Sequence, residues 1–193
     1  MNVTPEVRLG LGLMLTVLAV QRLSELLISR HHETVLRARG AVEFGREQFP
    51  GFVALHVLLP LGIVAEVLLL GEHPGDDWPW MLLLLVIAAL LRAAAIRALG
   101  ERWHVRVWVI PGERPFTHGI YRLMRHPNYY AVILECMALP LLFGAWRTAI
   151  AASVLDVVLL TMRIRAEEHA LAWAAGQKPV EPAGDVLPEA RSG

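Results

Sequence analysis

The chain has 193 residues, 55% of them hydrophobic, and its 18 basic and 18 acidic side chains cancel to a formal charge of zero. With a mean hydropathy of +0.48 it is too apolar for an ordinary soluble domain, and the neutral balance argues against a nucleic-acid binder. Five stretches approach the roughly 20 apolar residues with which a helix crosses about 30 Å of hydrocarbon; they cover residues 6–29, 52–70, 78–99, 128–143 and 146–162. The composition predicts an all-α integral membrane protein of about five transmembrane helices, forming one membrane-embedded domain over residues 1–175.

The first stretch lacks a basic leading region and a small-residue cleavage site, so it reads as a retained span that ends in QRLSELLISR. Next comes GAVEFGREQFP, whose glycines and Pro50 punctuate either a surface linker with a re-entrant turn or a gate. After the third stretch, WHVRVWVIPG alternates Val105, Val107 and Val109 with Arg106 and Trp108, the pattern of a short extended lid or of an interfacial loop. GIYRLMRHPNYY follows at residues 119–130. The bond to Pro127 pushes His126 towards extended backbone, and Pro127 suits a first helical turn, so a helix begins at Pro127 or Asn128. Arg122, Arg125 and His126 would flank its positive dipole end and free N–H groups, a place for an anionic or polar ligand group. The fourth stretch is short, and Pro140 invites a kink. RIRAEEHAL emerges from the fifth, where helical spacing lets Arg163 pair with Glu167 and Arg165 with Glu168. From residue 176 a tail rich in Pro, Gly and Glu is expected to be disordered.

Charge placement predicts orientation. Fourteen of the 18 basic residues follow the first, third and fifth stretches, which places the N-terminus outside and the C-terminus inside, with Trp78, Trp80 and Trp146 in an outer aromatic belt and Trp103 and Trp108 in an inner one. Arg22, Glu25, His56, Glu66, Arg92, Glu135 and Asp156 fall within the stretches and are expected to converge on a polar interior, because charge in hydrocarbon is costly. The lone Cys136 reads as a small apolar residue. Metal chemistry has little support: His31, His32 and Glu33 are adjacent and lack the spacing that sets two ligands on one helical face. No glycine-rich dinucleotide or phosphate loop occurs.

GIYRLMRHPNYY, an apolar hairpin and RIRAEEHAL together resemble the isoprenylcysteine carboxyl methyltransferase family of integral-membrane enzymes, over roughly residues 97–173. The resemblance implies an S-adenosylmethionine-dependent O-methyltransferase with a cytoplasmic cofactor site formed by the last two helices and the loop before them. It assigns Tyr121, Arg125, His126, Pro127 and Tyr129 to the cofactor and Arg163, Glu167 and Glu168 to catalysis. QRLSELLISR and GAVEFGREQFP are similar to a bacterial branch that methylates long-chain alkylpyrones and alkylresorcinols. Abundant Arg beside a single Lys points to a GC-rich bacterial genome and so to a bacterial plasma membrane.

The implied acceptor is therefore a lipophilic phenol or enol entering from the bilayer, with a prenylated-protein carboxylate as the alternative. A carboxylate acceptor needs mainly a charge partner such as Arg163 or Arg165; a phenol also benefits from a general base, for which Glu167, Glu168 and His126 are the eligible side chains. Related membrane reductases that use NADPH at a similar site, and a non-enzymatic scaffold, are the other readings.

Overall fold

The computed structural model describes residues 3–178 as five long helices and one small sheet. Helix α1 spans Pro5–Ala38, α2 Phe49–Ala65, α3 Trp78–Leu99, α4 Pro127–Leu142 and α5 Trp146–Ala175; strand β1 is Val42–Phe44 and β2 Val107–Val109. By length and apolarity three segments qualify as membrane-crossing, Pro5–Ala38, Arg46–Leu70 and Trp78–Arg102. Helix α4, at 16 residues, reaches only about 24 Å at 1.5 Å per residue, and α5 turns charged towards its C-terminus. The expected disordered tail lies outside the described residues apart from its first three, of which Gly176 caps α5.

Three helices depart from the expected limits. The first runs past residue 29 because no Gly or Pro interrupts it before Gly40. There the chain turns at φ 77°, Ala41 N–H bonding to Leu36 C=O and Gly40 N–H to Arg37 C=O, the pairing of a Schellman stop. The second ends in a wider turn over Glu66–Leu70, with i→i+5 bonding. The fifth does not stop at residue 162, so RIRAEEHAL stays on the same rod as the apolar span. Helix α3 has the expected limits, and α4 starts at Pro127 as the His-Pro step requires.

An apolar core joins Leu11 and Met14 of α1, Leu55, Leu59 and Ile63 of α2, Val132, Cys136 and Leu139 of α4, and Leu159 of α5. Helix α2 lies close to α5 because it offers glycine where they meet. A Cβ on Gly51 would stand 2.7 Å from Leu159 Cδ2, and one on Gly62 2.7 Å from Thr148 Oγ1. At the end of the bundle away from the sheet, the Glu66 carboxylate accepts the Thr148 N–H at 2.5 Å and the Arg147 N–H at 3.3 Å. These donors belong to the first turn of α5, whose own cap residue, Ala145, has no side chain to satisfy them.

Of the seven ionisable residues expected to converge, four do. Arg92 Nη1 meets Glu25 at 2.9 Å and Arg92 Nη2 meets Glu135 at 2.6 Å, while Arg22 reaches both carboxylates at 2.7 Å and Gln21 adds weaker bonds to each. This quartet ties α1, α3 and α4. Glu66 sits apart as a helix cap, and His56 and Asp156 are hydrogen-bonded to neither arginine.

Breaking the quartet on one side strands buried charge. Arg92→Leu leaves Glu25 and Glu135 short of a partner and should cost about 3–5 kcal/mol. Arg37→Ala, which removes an exposed pair with Glu33, should cost below about 0.5 kcal/mol. Thermal unfolding of both variants in nanodiscs checks this, and equal losses would show that the quartet is not what holds α1.

Candidate active site

At the end of the bundle where α4 begins and α5 continues beyond its apolar part, a cavity of about 780 Å³ opens between the 99–126 connector, α4 and α5. The connector has no helical period to hold it. It is fixed by β2, which pairs antiparallel with β1 in the register Val42–Val109, Glu43–Trp108 and Phe44–Val107. The segment around residues 40–50 therefore backs the connector through the strand pair and is not a free surface linker. Val107 and Val109 pack with Ala170 and Ala174 of α5, and Gly112 N–H bonds to the Ala174 carbonyl at 2.8 Å. Two bonds fasten the connector to α1: Ser29 Oγ accepts the Val105 N–H at 3.0 Å, and the His32 ring donates through Nδ1 to the Trp103 carbonyl at 2.6 Å.

Trp103 and Trp108 are 3% and 9% exposed, so they do not form an inner interfacial belt. Trp108 instead lies under the Arg37 guanidinium, 4.8 Å from the ring centroid, inside the wall that the connector makes. Trp78, Trp80 and Trp146 are exposed, as belt residues are.

Seven of the eight expected site residues line the cavity: Tyr121, Arg125, His126, Tyr129, Arg163, Glu167 and Glu168. Pro127 is buried beneath them as the first residue of α4. The His126 and Tyr129 rings stack at 5.0 Å and 9°. Tyr129 Oη donates to the Glu167 carboxylate and stands 3.4 Å from Arg163 Nε, while His126 Nδ1 lies 3.7 Å from Glu167. The two motifs, far apart in sequence, thus meet at one carboxylate. Neither expected intrahelical pair forms, because Arg163 turns away from Glu167 towards Tyr129 and the Phe52 ring, and Arg165 is exposed without an ion pair.

Further side chains enter that sequence reasoning missed. His104, Arg106, Trp108 and Asn128 line the same cavity. Arg106 pairs with Glu43 at 3.0 Å and Arg102 with Glu113 at 3.0 Å, whereas Arg114, Arg122 and Arg125 at the wall make no ion pair among the described residues. The Asn128 side-chain oxygen is buried without a partner. Tyr121 packs edge-on against Phe116 at 5.6 Å, and burial, with the nearby Glu167 charge adding to it, raises its phenol pKa above the usual tyrosine value. The cavity falls within the range of about 300–1,000 Å³ typical of small-molecule sites. Its unpaired arginines suit a carboxylate, and its orphaned Asn128 acceptor suits an amino group.

A bundle of apolar helices with a charged, mixed-polarity pocket at one end defines a membrane-embedded enzyme for a polar small molecule. Residues 81–173 match the isoprenylcysteine carboxyl methyltransferase (ICMT) family, and the chain belongs to that family. The uncharacterised Bacillus subtilis protein YpbQ is 37% identical over 82% of this chain and 95% of its own length. An uncharacterised Haemophilus influenzae protein is 28% identical over 80% of this chain and 90% of its own, and protein-S-isoprenylcysteine O-methyltransferase A of Arabidopsis thaliana is 28% identical over 69% and 70%. No solved structure matches the chain significantly. The protein is a membrane methyltransferase whose methyl donor is S-adenosylmethionine.

Because the Tyr121 phenol is raised, it stays protonated in the pH range where an exposed tyrosine ionises, near pH 10. Wild type and Tyr121→Phe should therefore give the same tyrosinate absorbance at about pH 10. A lower signal in the variant would show Tyr121 open to water.

Proposed function

We propose that the chain transfers a methyl group from S-adenosylmethionine to the hydroxyl oxygen of a long-chain alkylpyrone or alkylresorcinol. The site faces the cytoplasm and the N-terminus lies outside, with α4 and α5 completing five spans. The observation that carries the reading is the junction at Glu167, where the cofactor block and the downstream motif share one hydrogen-bonded cluster on the cavity wall.

When bound, S-adenosylmethionine supplies a methyl carbon activated by a sulfonium. Tyr121 and Arg125 of the connector, with His126 and Tyr129 at the start of α4 that Pro127 sets, would hold it, and the Asn128 oxygen would accept from one of its amino groups. Arg125, without an ion pair among the described residues, would take its carboxylate. Arg163 and Glu167, held through Tyr129, fix the place of the acceptor oxygen, and Glu168 closes the rim. Positioning in a water-poor pocket supplies much of the rate, since in-line attack is exacting in geometry. The acceptor's alkyl chain stays in the bilayer while its head reaches the pocket, so the enzyme joins two phases. The 28% identity to the Arabidopsis isoprenylcysteine methyltransferase supports the competing acceptor, a prenylated carboxylate.

A reporter fused into the acidic turn at residues 72–77 should give an external signal; a cytoplasmic one would invert the orientation. Incubation with labelled S-adenosylmethionine and, side by side, an alkylresorcinol, an alkylpyrone and a farnesylcysteine analogue identifies the acceptor. Label on the hydroxyl lipids is expected, with Arg163→Ala and Glu167→Gln lowering turnover at unchanged cofactor affinity. Label on farnesylcysteine alone would return the chain to carboxyl methylation.

A further inference from the structure

His104 lies in the connector immediately before β2, and its ring lines the cavity. Its Nδ1 faces the backbone carbonyl of Arg106. A carbonyl only accepts, so Nδ1 carries the proton, and in the neutral ring Nε2 must then be the acceptor. Among the described residues Nε2 makes no hydrogen bond, and it is not sealed away without a partner as His56 Nε2 is. The ring therefore offers an open lone pair on the wall of the pocket.

The surroundings hold the ring neutral. Burial lowers its pKa most, the Arg106, His104 and Trp108 carbonyls oppose that, and the Arg163 charge on α5 lowers it further, to about 4. Of the other charged and titratable groups around the cavity, Arg114, Arg122 and Arg125 make no ion pair among the described residues, and those closer to the ring are engaged or exposed. Arg106 is paired with Glu43 of β1, and His32 of α1 is bound to the Trp103 carbonyl. Glu167, the carboxylate nearest the two motifs, accepts from Tyr129 and has His126 beside it, and Glu168 stands at the exposed rim.

We propose that His104 is the general base of the reaction, its Nε2 accepting the hydroxyl proton of the acceptor while the oxygen takes the methyl group. The proposal rests on the hydroxyl-lipid reading above. An oxygen lone pair forms the new O–C bond, the C–S bond breaks with its pair returning to sulfur, and the O–H pair stays on oxygen. The proton passes to Nε2 and from there to water. A weak base suffices, because the O–H becomes far more acidic than an imidazolium as the methyl carbon bonds to its oxygen. Arg163, whose charge adds to burial in keeping the ring neutral, would also face the negative charge that grows on an ionising acceptor. The same lone pair selects a hydroxyl head over a carboxylate, which has no proton to give it.

The test uses the full chain in nanodiscs. His104→Asn keeps an NH₂ donor for the Arg106 carbonyl but has no base. It should lower kcat on an alkylresorcinol by about 100-fold or more. On a nitro-substituted alkylresorcinol already ionised at the assay pH, the loss should stay below about threefold, because no proton remains to be taken. Calorimetry without acceptor should give unchanged S-adenosylmethionine affinity. Calorimetry without cofactor should show wild type preferring the alkylresorcinol over its dimethyl ether by about tenfold, and His104→Asn losing that preference. Equal losses on both acceptors, or no loss on either, would overturn the role. If wild type methylates only farnesylcysteine, the acceptor reading fails first, and the wild-type assay alone reveals it.

Discussion

The buried quartet of Arg22, Glu25, Arg92 and Glu135 is the constraint from which the rest of the molecule follows. Two cations and two carboxylates cancel, and each carboxylate touches both guanidinium groups, so no member can leave without stranding another in a medium that solvates charge poorly. Helix α1 needs such a tie. Its outward face, with Leu9, Leu13, Val20 and Leu27, is exposed and suited to lipid, and only part of its opposite face joins the apolar core. Apolar packing in a bilayer is not strongly directional, since lipid tails are as apolar as Leu. A charged quartet permits one register and one rotation of α1 against α3 and α4.

That register reaches the active site through the chain. Glu135 stands six residues beyond Tyr129 on α4, about 9 Å along the axis. The ion pairs that fix α4 thus lie less than two turns from the turn that presents His126, Asn128 and Tyr129. On α1, a further turn on from Glu25, Ser29 and His32 hold the connector by Val105 and Trp103. The β1–β2 ladder then closes the connector over α5. A loop without helical period is positioned by a strand pair, two bonds to α1 and the packing of Val107 and Val109 on Ala170 and Ala174.

Local signals were legible in the sequence to the extent that the physics behind them is local. The His-Pro step sets the start of α4, and Trp78–Leu99 is bounded by residues that flank it in the chain. Uninterrupted helix formers carry α1 and α5 past the apolar stretches, which hydropathy alone does not see. The pairing of residues 42–44 with 107–109 is a long-range choice that neither three-residue strand encodes by itself. Spacing correctly puts Arg163 near Glu167 but cannot know that Tyr129, 34 residues earlier, will stand between them. Trp103 and Trp108 have the composition of an interfacial belt, and only the folded connector turns them inward. His104 carries no motif; its character comes from burial, from the Arg106 carbonyl and from Arg163, which arrives on α5.

The pocket divides its charge accordingly. Arg114, Arg122 and Arg125, without ion pairs among the described residues, line the wall, while the carboxylate at the motif junction, Glu167, is held by Tyr129. On the proposed placement, a sulfonium donor would bring positive charge into this space, which disfavours protonating a histidine beside it. A neutral His104 therefore becomes more secure once the donor is bound. An acceptor that arrives with its own proton meets a lone pair, whereas one that arrives ionised meets Arg163 directly. On the proposed role of His104, the distinction between methylating a hydroxyl and methylating a carboxylate comes down to one ring nitrogen in the connector, set by the carbonyl two residues along the chain.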